Sequence, residues 1–200
     1  MKRLFDIVSS LLVLIIGFPF FLIIVILILI DSRGGVFYRQ VRVGKNNKDF
    51  YLYKFRTMVS GADKKGQLTV GDKDNRITRI GYFLRKFKLD EFPQLINVLK
   101  GDMSVVGPRP EVRKYVSMYS AEQMQVLNVR PGLTDIASIE YINESELLSK
   151  ADDPEKLYIE KIMPEKLSLN MKYIREKSLG TDLRIIFRTF GKIFGKLVGR

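Results

Sequence analysis

One long apolar run dominates the first thirty residues of the chain. From Ile7 to Ile30 the sequence reads IVSSLLVLIIGFPFFLIIVILILI, without a single charged residue. As a helix this run is about 36 Å long at roughly 1.5 Å per residue, enough to cross a hydrocarbon core of about 30 Å. A signal peptide has a shorter apolar region that ends in a small-residue cleavage site, whereas this run ends in DSRGG. The pattern therefore predicts an uncleaved membrane segment within residues 1–32.

Pro19 lies inside this segment, and basic residues flank it on both sides. Because Pro19 has no N–H, the carbonyl of Ile15 loses its helical partner and the helix is expected to bend there. Cytoplasmic segments are enriched in Lys and Arg, so both flanks favour the cytoplasm. A re-entrant helix satisfies both flanks, and a Pro-kinked spanning helix is the alternative that these patterns leave open. The flanking residues are Lys2, Arg3, Arg33, Arg39, Arg42 and Lys45.

The C-terminal segment 183–200, LRIIFRTFGKIFGKLVGR, has a different apolar pattern. Its apolar side chains recur every three or four residues, which is the spacing of one helix face. Arginines and lysines fill the positions between them, with no acidic residue. The pattern predicts an amphipathic helix that lies on an anionic membrane surface. A terminal helix packed on the protein itself is the alternative.

The stretch between these two segments is polar and predicts a mixed, mostly helical domain. VFYRQVRVG and DFYLYKFRTM alternate apolar and polar residues around KNNK, which is typical of a β-hairpin. GDKDNRIT at 71–78 predicts a loop, and GPRP predicts a rigid turn. Helices are predicted at GYFLRKF, EFPQLINVLKGD and AEQMQVLNV, and within 152–176 starting near Pro154.

The composition narrows the chemistry that is available to this chain. The 200 residues carry a formal net charge of +12 and contain no cysteine and no histidine. Disulfides, thiolate metal sites and a histidine general base are therefore excluded. Any catalysis must rest on Asp, Glu, Lys, Arg, Tyr or Ser. The excess of cations predicts an anionic partner, which could be a nucleic acid, a phospholipid or a phosphorylated substrate.

An acidic pair, Asp90–Glu91 in KLDEFPQL, interrupts this basic background. Adjacent residues on a helix face different directions, so the pair is not expected to share one proton. Pro93 suggests a helix start, with Asp90 as its N-cap and the helix dipole favouring the carboxylate anion. Near a divalent cation and a phosphate, such a carboxylate is a candidate nucleophile at phosphorus. An ordinary helix cap with a solvated Glu91 is the alternative.

Two arginines are candidates for phosphate binding near this pair. Arg85 precedes Asp90 by five residues, and Arg109 lies between Pro108 and Pro110, which restrict its backbone. The planar guanidinium group matches the geometry of phosphate oxygens. Together with the membrane segment, these residues predict phosphoryl transfer next to a membrane.

With these features the sequence resembles a known family, the bacterial sugar transferases, and within it the small monotopic polyprenyl-phosphate glycosyl-1-phosphate transferases. The resemblance covers nearly the whole chain. It rests on KRLFD, FYRQVRVG, FYLYKFRTM, LDEFPQLINVLKGDMSVVGPRPE, VRPGLT and SLGTDLRIIFRT.

The resemblance implies a specific reaction and a role for each candidate residue. A sugar 1-phosphate passes from a UDP-sugar to a polyprenyl phosphate such as undecaprenyl phosphate, and UMP is released. Asp90 is implied as the nucleophile that forms a covalent phosphosugar, with Glu91 assisting in acid/base or metal chemistry. Mg²⁺ is the implied cofactor, held by Asp90 and Glu91. Arg85 and Arg109 are implied in phosphate binding, with the Pro108–Pro110 turn in support.

The resemblance also implies an architecture and a location. The expected fold is α+β, with a re-entrant helix broken at Pro19 (1–32), a small cytosolic catalytic domain (33–182) and an interfacial amphipathic helix (183–200), together forming one functional unit. The expected location is the cytoplasmic face of a bacterial inner membrane rich in anionic phospholipid. The resemblance allows a homodimer and implies no nucleic-acid partner.

Two departures from the family pattern bear on these expectations. A Ser-Pro pair is common at the membrane-helix break, and here it is Phe18-Pro19. Segment 134–144 reads TDIASIEYINE where many members have TGWAQVNGR, so the arginine of that pattern is missing. A membrane-anchored nucleic-acid binder and a non-catalytic scaffold remain as alternatives, although neither accounts for LDEFPQL together with GPRP. The sequence does not select a sugar.

Overall fold

The computed structural model describes residues 1–62 and 74–198. The loop predicted at 71–78 lies partly outside the described residues. Arg200, which belongs to the predicted C-terminal cationic face, lies outside them. In the described residues the fold is α+β, mostly helical with a short antiparallel hairpin, as predicted.

The apolar N-terminal segment forms one long helix, α1 (Lys2–Asp31). Among the described residues it is the helix long and apolar enough to cross a membrane. Pro19 lies inside it, and the helix continues through that position. The large side chains around its middle are exposed and include Leu11, Leu12, Ile15, Ile16, Phe18 and Phe20. The middle of α1 therefore lacks cover from the rest of the chain.

Both ends of α1, by contrast, contact the polar domain. Near the start, the Arg3 guanidinium donates hydrogen bonds to two carbonyls at the end of a later helix, at 2.6 and 3.0 Å. In the same region the buried carboxylate of Asp6 accepts a hydrogen bond of 2.9 Å from Ser104 Oγ. At the other end, Asp31 accepts a hydrogen bond of 3.0 Å from the Ile80 amide. The helix is thus fixed at both ends and uncovered between them.

The predicted β-hairpin is confirmed. Strands β1 (Phe37–Val43) and β2 (Asp49–Phe55) pair antiparallel, with Val41 opposite Tyr51. The connection contains Asn46 and Asn47 with φ of 56° and 59°, a left-handed conformation that asparagine tolerates better than most residues. KNNK therefore provides the local geometry that turns the chain.

The region of the acidic pair differs from the prediction. Helices α2 (Arg79–Lys86) and α3 (Gln94–Lys100) are present, but a 3₁₀ turn over Leu89–Glu91 lies between them. Pro93 is the N-cap of α3, so the prediction that Asp90 caps this helix is wrong. The reason is local: Lys88 adopts a left-handed conformation with φ of 57°, and the tight turn that follows ends before α3 begins.

Two glycines hold the GPRP turn against the RPG segment. Strands β3 (Ser104–Val106) and β4 (Gly132–Thr134) pair in parallel, and the Gly132 amide donates to the Pro108 carbonyl at 2.9 Å. A Cβ added to Gly132 would lie 2.1 Å from the Gly107 nitrogen. The two backbones approach so closely that neither glycine could carry a side chain. This close approach fixes the turn that contains Arg109.

Helices form the remainder of the described chain. The predicted helical region within 152–176 is confirmed from Pro154 to Glu176, with one π-helical turn at Tyr158–Ile162. AEQMQVLNV forms a 3₁₀ helix, Gln123–Asn128, instead of an α-helix. The α-helices are α4 (Arg113–Val116), α5 (Ile136–Glu140), α6 (Glu144–Ser149), α7 (Pro154–Leu157), α8 (Met163–Glu176) and α9 (Leu179–Val198).

The C-terminal helix α9 both packs on the domain and exposes an apolar surface. Ile185 is buried against a cluster that includes Val106, Ile139 and Tyr173. The large side chains that α9 leaves exposed include Phe187, Phe190 and Phe194. Packing and an exposed apolar surface, which the sequence analysis treated as alternatives, therefore occur together in this helix.

We expect Gly132→Ala to destabilise the protein, because its new Cβ would collide with the backbone of Gly107. Overpacking of this kind lowers the free energy of unfolding by about 1–3 kcal/mol, and thermal denaturation in detergent measures it. Gly191→Ala is the control, since no atom lies within 4 Å of a Cβ added at that helical position. Equal melting temperatures for the two variants would contradict the proposed packing.

Candidate active site

Asp90 and Glu91 are both buried, with exposed fractions of only 5% and 8%. Glu91 is bound by two cations from distant segments. Arg109 contacts both of its carboxylate oxygens, with Nη1 3.2 Å from Oε2, and Lys54 Nζ lies 3.0 Å from Oε1. Burial alone raises the pKa of Glu91, but Arg109 and Lys54 hold that pKa well below its usual range. Glu91 is therefore a firmly ionised group whose oxygens are occupied.

Asp90 has the opposite environment. Its Oδ1 is buried and has no hydrogen-bond partner among the described residues, and its Oδ2 lies 3.9 Å from Lys54 Nζ. Burial raises the pKa of Asp90 above its usual value, and this outweighs the opposing charges of Lys54, Lys88 and Arg85. The expectation that a helix start would stabilise the anion is wrong, because desolvation dominates at this position. Asp90 therefore has one buried carboxylate oxygen without a hydrogen-bond partner among the described residues.

Lys54 is the site residue that the sequence analysis missed. It lies in β2 and is largely buried, and burial lowers its pKa while the two carboxylates oppose that shift. A signal was present in the sequence. Lys54 is two positions from the buried Leu52, so the two share a face of the strand, and a lysine on the inward face of an alternating strand needs a partner.

The two predicted arginines lie near the acidic pair in different ways. The Pro110 carbonyl accepts a 3.1 Å hydrogen bond from Arg42, and the Pro108 carbonyl is bonded to Gly132, so both ends of the turn are fastened. This turn presents the Arg109 guanidinium to Glu91. Arg85, on α2, donates a hydrogen bond of 3.0 Å to Thr57 Oγ1, and its charge acts on Asp90.

A cavity of about 950 Å³ opens over the acidic pair. One part of its wall is charged and consists of Lys54, Arg85, Asp90, Glu91 and Arg109. Another part is apolar and comes from the two terminal helices, with Phe5 and Val13 of α1 and Leu183, Ile186, Phe187, Phe190 and Phe194 of α9. The same cavity therefore joins the buried carboxylates to the apolar faces of α1 and α9.

The segment that departs from the family pattern forms a further part of this wall. Thr134, Ser138, Tyr141 and Glu144 line the cavity. Glu144 accepts a hydrogen bond of 2.7 Å from Lys166, a lysine of α8 that also lines the cavity. Lys166 is thus a cation near the segment that lacks the arginine, although its charge is already paired.

The donor set at Asp90 fits Mg²⁺. The described residues contain no group of three or more acidic, His or Cys side chains, but Mg²⁺ is commonly held by one or two carboxylates with water and substrate phosphates. Asp90 Oδ1 is a hard oxygen ligand without a protein partner in the described chain. Both oxygens of Glu91 are bound to cations, so Asp90 is the better candidate for direct contact.

Comparisons with known proteins find relatives whose names describe transferases that act on undecaprenyl phosphate. It is 37% identical over 195 residues to a UDP-N-acetylgalactosamine-undecaprenyl-phosphate N-acetylgalactosaminephosphotransferase of Aeromonas hydrophila. It is 38% identical over 197 residues to a UDP-glucose:undecaprenyl-phosphate glucose-1-phosphate transferase of Klebsiella pneumoniae. These matches cover 96% of this chain in both cases, but only 43% and 40% of the relatives.

A third relative is closer to this chain in length. The exopolysaccharide production protein PSS of Rhizobium leguminosarum bv. phaseoli is 39% identical over 196 residues, which cover 94% of this chain and 92% of the relative. A family model described as bacterial sugar transferase matches residues 1–196. The chain therefore belongs to the bacterial sugar transferase family.

Proposed function

We propose that this protein transfers a sugar 1-phosphate from a UDP-sugar to undecaprenyl phosphate or a similar polyprenyl phosphate, with release of UMP and a covalent phosphosugar on Asp90. The names of the Aeromonas and Klebsiella relatives support the class of donor and acceptor. The proposed product begins the assembly of a bacterial glycan.

One observation carries this proposal, namely the composition of the 950 Å³ cavity. A polyprenyl phosphate has an anionic head and a long apolar chain, and it needs a site with cations at one part and an apolar surface at another. The cavity offers both, with Asp90 at the charged part. A non-catalytic scaffold or a nucleic-acid binder gives no reason to bury a carboxylate oxygen without a partner, since such burial is unfavourable.

We propose a re-entrant arrangement for α1, because both of its ends contact the same polar domain. A 30-residue helix is about 45 Å long, and a straight span would place its two ends on opposite sides of the membrane. Arg3 at one end and Asp31 at the other both bind residues of the domain. The uncovered middle around Pro19 then enters the lipid, and the exposed phenylalanines of α9 lie at the interface. The active site faces the cytoplasm at the membrane surface.

In the first half-reaction, a carboxylate oxygen of Asp90 attacks the phosphorus that carries the sugar. A bond forms between Asp90 and this phosphorus, and the bond from the phosphorus to the bridging oxygen breaks, so that UMP leaves with that oxygen. Lys54, Arg85 and Arg109 surround the site with positive charge, which reduces the repulsion between the carboxylate and the diphosphate. Mg²⁺ bound at Asp90 would further neutralise the charge of the diphosphate.

In the second half-reaction, a phosphate oxygen of the polyprenyl acceptor attacks the same phosphorus. The bond to Asp90 breaks, the carboxylate is restored, and a polyprenyl diphosphate sugar forms. The second pKa of an alkyl phosphate is about 6, so near neutral pH the acceptor is mostly a dianion and needs no general base. Glu91 has a low pKa and is a poor base, so we assign it the role of holding Lys54 and Arg109 in place.

Asp90→Asn tests the covalent step. We expect turnover to fall by roughly 10³-fold or more, because the amide is a poor nucleophile. Labelled UDP-sugar without acceptor should label the wild-type protein and leave the variant unlabelled. The melting temperature should stay the same or rise, since the buried anion is removed and Oδ1 loses no partner. Label on Asp90→Asn, or near-normal turnover, would refute the covalent mechanism.

Glu91→Gln provides a matched comparison for the Asp90 variant. The neutral amide leaves the charges of Lys54 and Arg109 without their carboxylate partner, so this variant should have a lower melting temperature as well as lower activity. Both substitutions remove one negative charge, but only Glu91→Gln removes the close partner of Lys54 and Arg109. The melting temperature of Glu91→Gln should therefore be the lower of the two.

Lys54→Met tests the cation that sequence analysis missed. Because Lys54 lies beside both carboxylates, we expect kcat to fall by about 10²-fold, as for the loss of one preorganised donor. Steady-state UMP release measures the change. Lys48→Met, an exposed lysine of the same hairpin, is the control and should retain activity. Equal activities of the two variants would exclude Lys54 from the mechanism.

Cysteine labelling tests the re-entrant arrangement, and the chain has no cysteine of its own. Leu4→Cys and Arg39→Cys lie at exposed positions on either side of the apolar run Ile7–Ile30. Both should be protected from a membrane-impermeant reagent in intact cells and react in inverted membrane vesicles. Labelling of Leu4→Cys from outside the cell would instead establish a spanning helix.

A further inference from the structure

A second polar region of the cavity lies outside the chemistry proposed above. We call it the sugar subsite and define it by Glu111, Tyr119, Tyr158, Lys166 and Asn170, all of which line the cavity. Tyr158 donates a hydrogen bond to Glu111 Oε2, and the Lys166 ammonium lies 5.5 Å from the centroid of the Tyr158 ring. These contacts bring residues that precede α6 in the chain and residues that follow it together on one surface.

The charged groups of the sugar subsite already have partners within the protein. Glu111 Oε1 accepts hydrogen bonds from Arg42 at 3.0 Å and from the Val112 amide at 2.8 Å. The Lys166 ammonium donates to Glu144 at 2.7 Å. A surface of paired charges and tyrosine rings offers little net attraction to another ion. It suits a neutral polar ligand, and a sugar ring is such a ligand.

Asn170 has a buried acceptor in this region that lacks a partner in the described part of the chain. It lies on α8 with an exposed fraction of 5%, and its Oδ1 has no hydrogen-bond partner among the described residues. Buried polar atoms are normally hydrogen-bonded, so an unpaired one calls for an explanation. A ligand in the cavity with an O–H or N–H group would complete the bond.

The position of Asn170 favours the sugar of the donor over its nucleobase. Asn170 also borders a small cavity beside the Pro108–Pro110 turn, whose Arg109 binds Glu91 next to Asp90. The sugar is joined through a single oxygen to the phosphorus that Asp90 is proposed to attack, whereas a second phosphate and a ribose separate the base from it. The sugar is therefore the neutral part of the donor that lies closest to the reacting atoms.

We propose that Asn170 Oδ1 accepts a hydrogen bond from a hydroxyl or acetamido N–H of the donor's pyranose, and that the sugar subsite selects which sugar is transferred. This inference rests on the proposed function, because it assumes a nucleotide-sugar donor. A structural water bound to Asn170 Oδ1 is the competing explanation for the unpaired acceptor. The small cavity beside Asn170 measures about 20 Å³, which is enough for one water molecule.

The test compares Asn170→Leu, which is similar in size and lacks the acceptor, with Asn170→Asp, which keeps it. UMP release is measured for UDP-glucose, UDP-galactose and their N-acetylated counterparts, together with the inhibition constant of UMP. Asn170→Leu should lower kcat/KM for the preferred sugar by about 10- to 100-fold and reduce the preference among the four, with the UMP constant within about twofold of wild type. Asn170→Asp should keep the wild-type order of sugars. Asn128→Leu, at an exposed asparagine, is the control.

Other outcomes would overturn the inference. A parallel loss of UMP inhibition would assign Asn170 to the nucleotide, and a lower melting temperature with unchanged sugar preference would assign it to a structural water.

Direct binding of UDP and the UDP-sugars separates this inference from the proposed function. If wild type binds a UDP-sugar more tightly than UDP but releases no UMP, and Asn170→Leu loses that difference, the subsite stands and the proposed reaction fails. If wild type turns over and both variants keep its preference, the subsite fails and the reaction stands.

Discussion

The buried carboxylate of Glu91 is the constraint on which the arrangement of the site depends. Its two cations come from strand β2 and from the GPRP turn, so one charge cluster joins three separate segments. Removing a partner from a buried ion pair typically costs about 3–5 kcal/mol, because it leaves an uncompensated charge. Lys54 and Arg109 must therefore both reach Glu91 when the domain folds. The two close glycines, Gly107 and Gly132, make this possible, since they let the turn pack tightly enough to present Arg109.

Meeting that constraint gives two adjacent, chemically similar residues opposite properties. The cations that lower the pKa of Glu91 are less effective at Asp90, where burial dominates and raises the pKa. Environments that separate the pKa values of two nearby carboxyl groups are a common basis for dividing catalytic roles. In this protein one carboxylate binds the two cations, and the other has an oxygen without a partner among the described residues.

The same domain also holds the two apolar helices at the mouth of the cavity. Near the start of α1, the Lys2 ammonium binds Asp182 of α9, whose carboxylate also accepts a 2.6 Å hydrogen bond from Tyr173. At the other end, the buried Arg56 donates to the carbonyls of Ser32, Arg33 and Gly35, the residues that follow α1. These contacts keep the apolar faces of both helices beside the charged site, where the proposed lipid-linked acceptor would meet the proposed nucleotide-sugar donor.

The sequence by itself determined the features that local pattern encodes. The length of α1, the hairpin around KNNK, the amphipathic α9 and the acidic pair beside its arginines follow from periodicity, turn residues and spacing. The prediction that Asp90 caps a helix was wrong, because a separate 3₁₀ turn follows the left-handed Lys88 and ends before α3 begins. Only the tertiary structure decided that Asp90 Oδ1 has no partner among the described residues, that Lys54 pairs with Glu91 and that Asn170 lines the cavity. Burial and charge pairing set those properties, and both depend on segments brought together from distant parts of the chain, so no local window contains them.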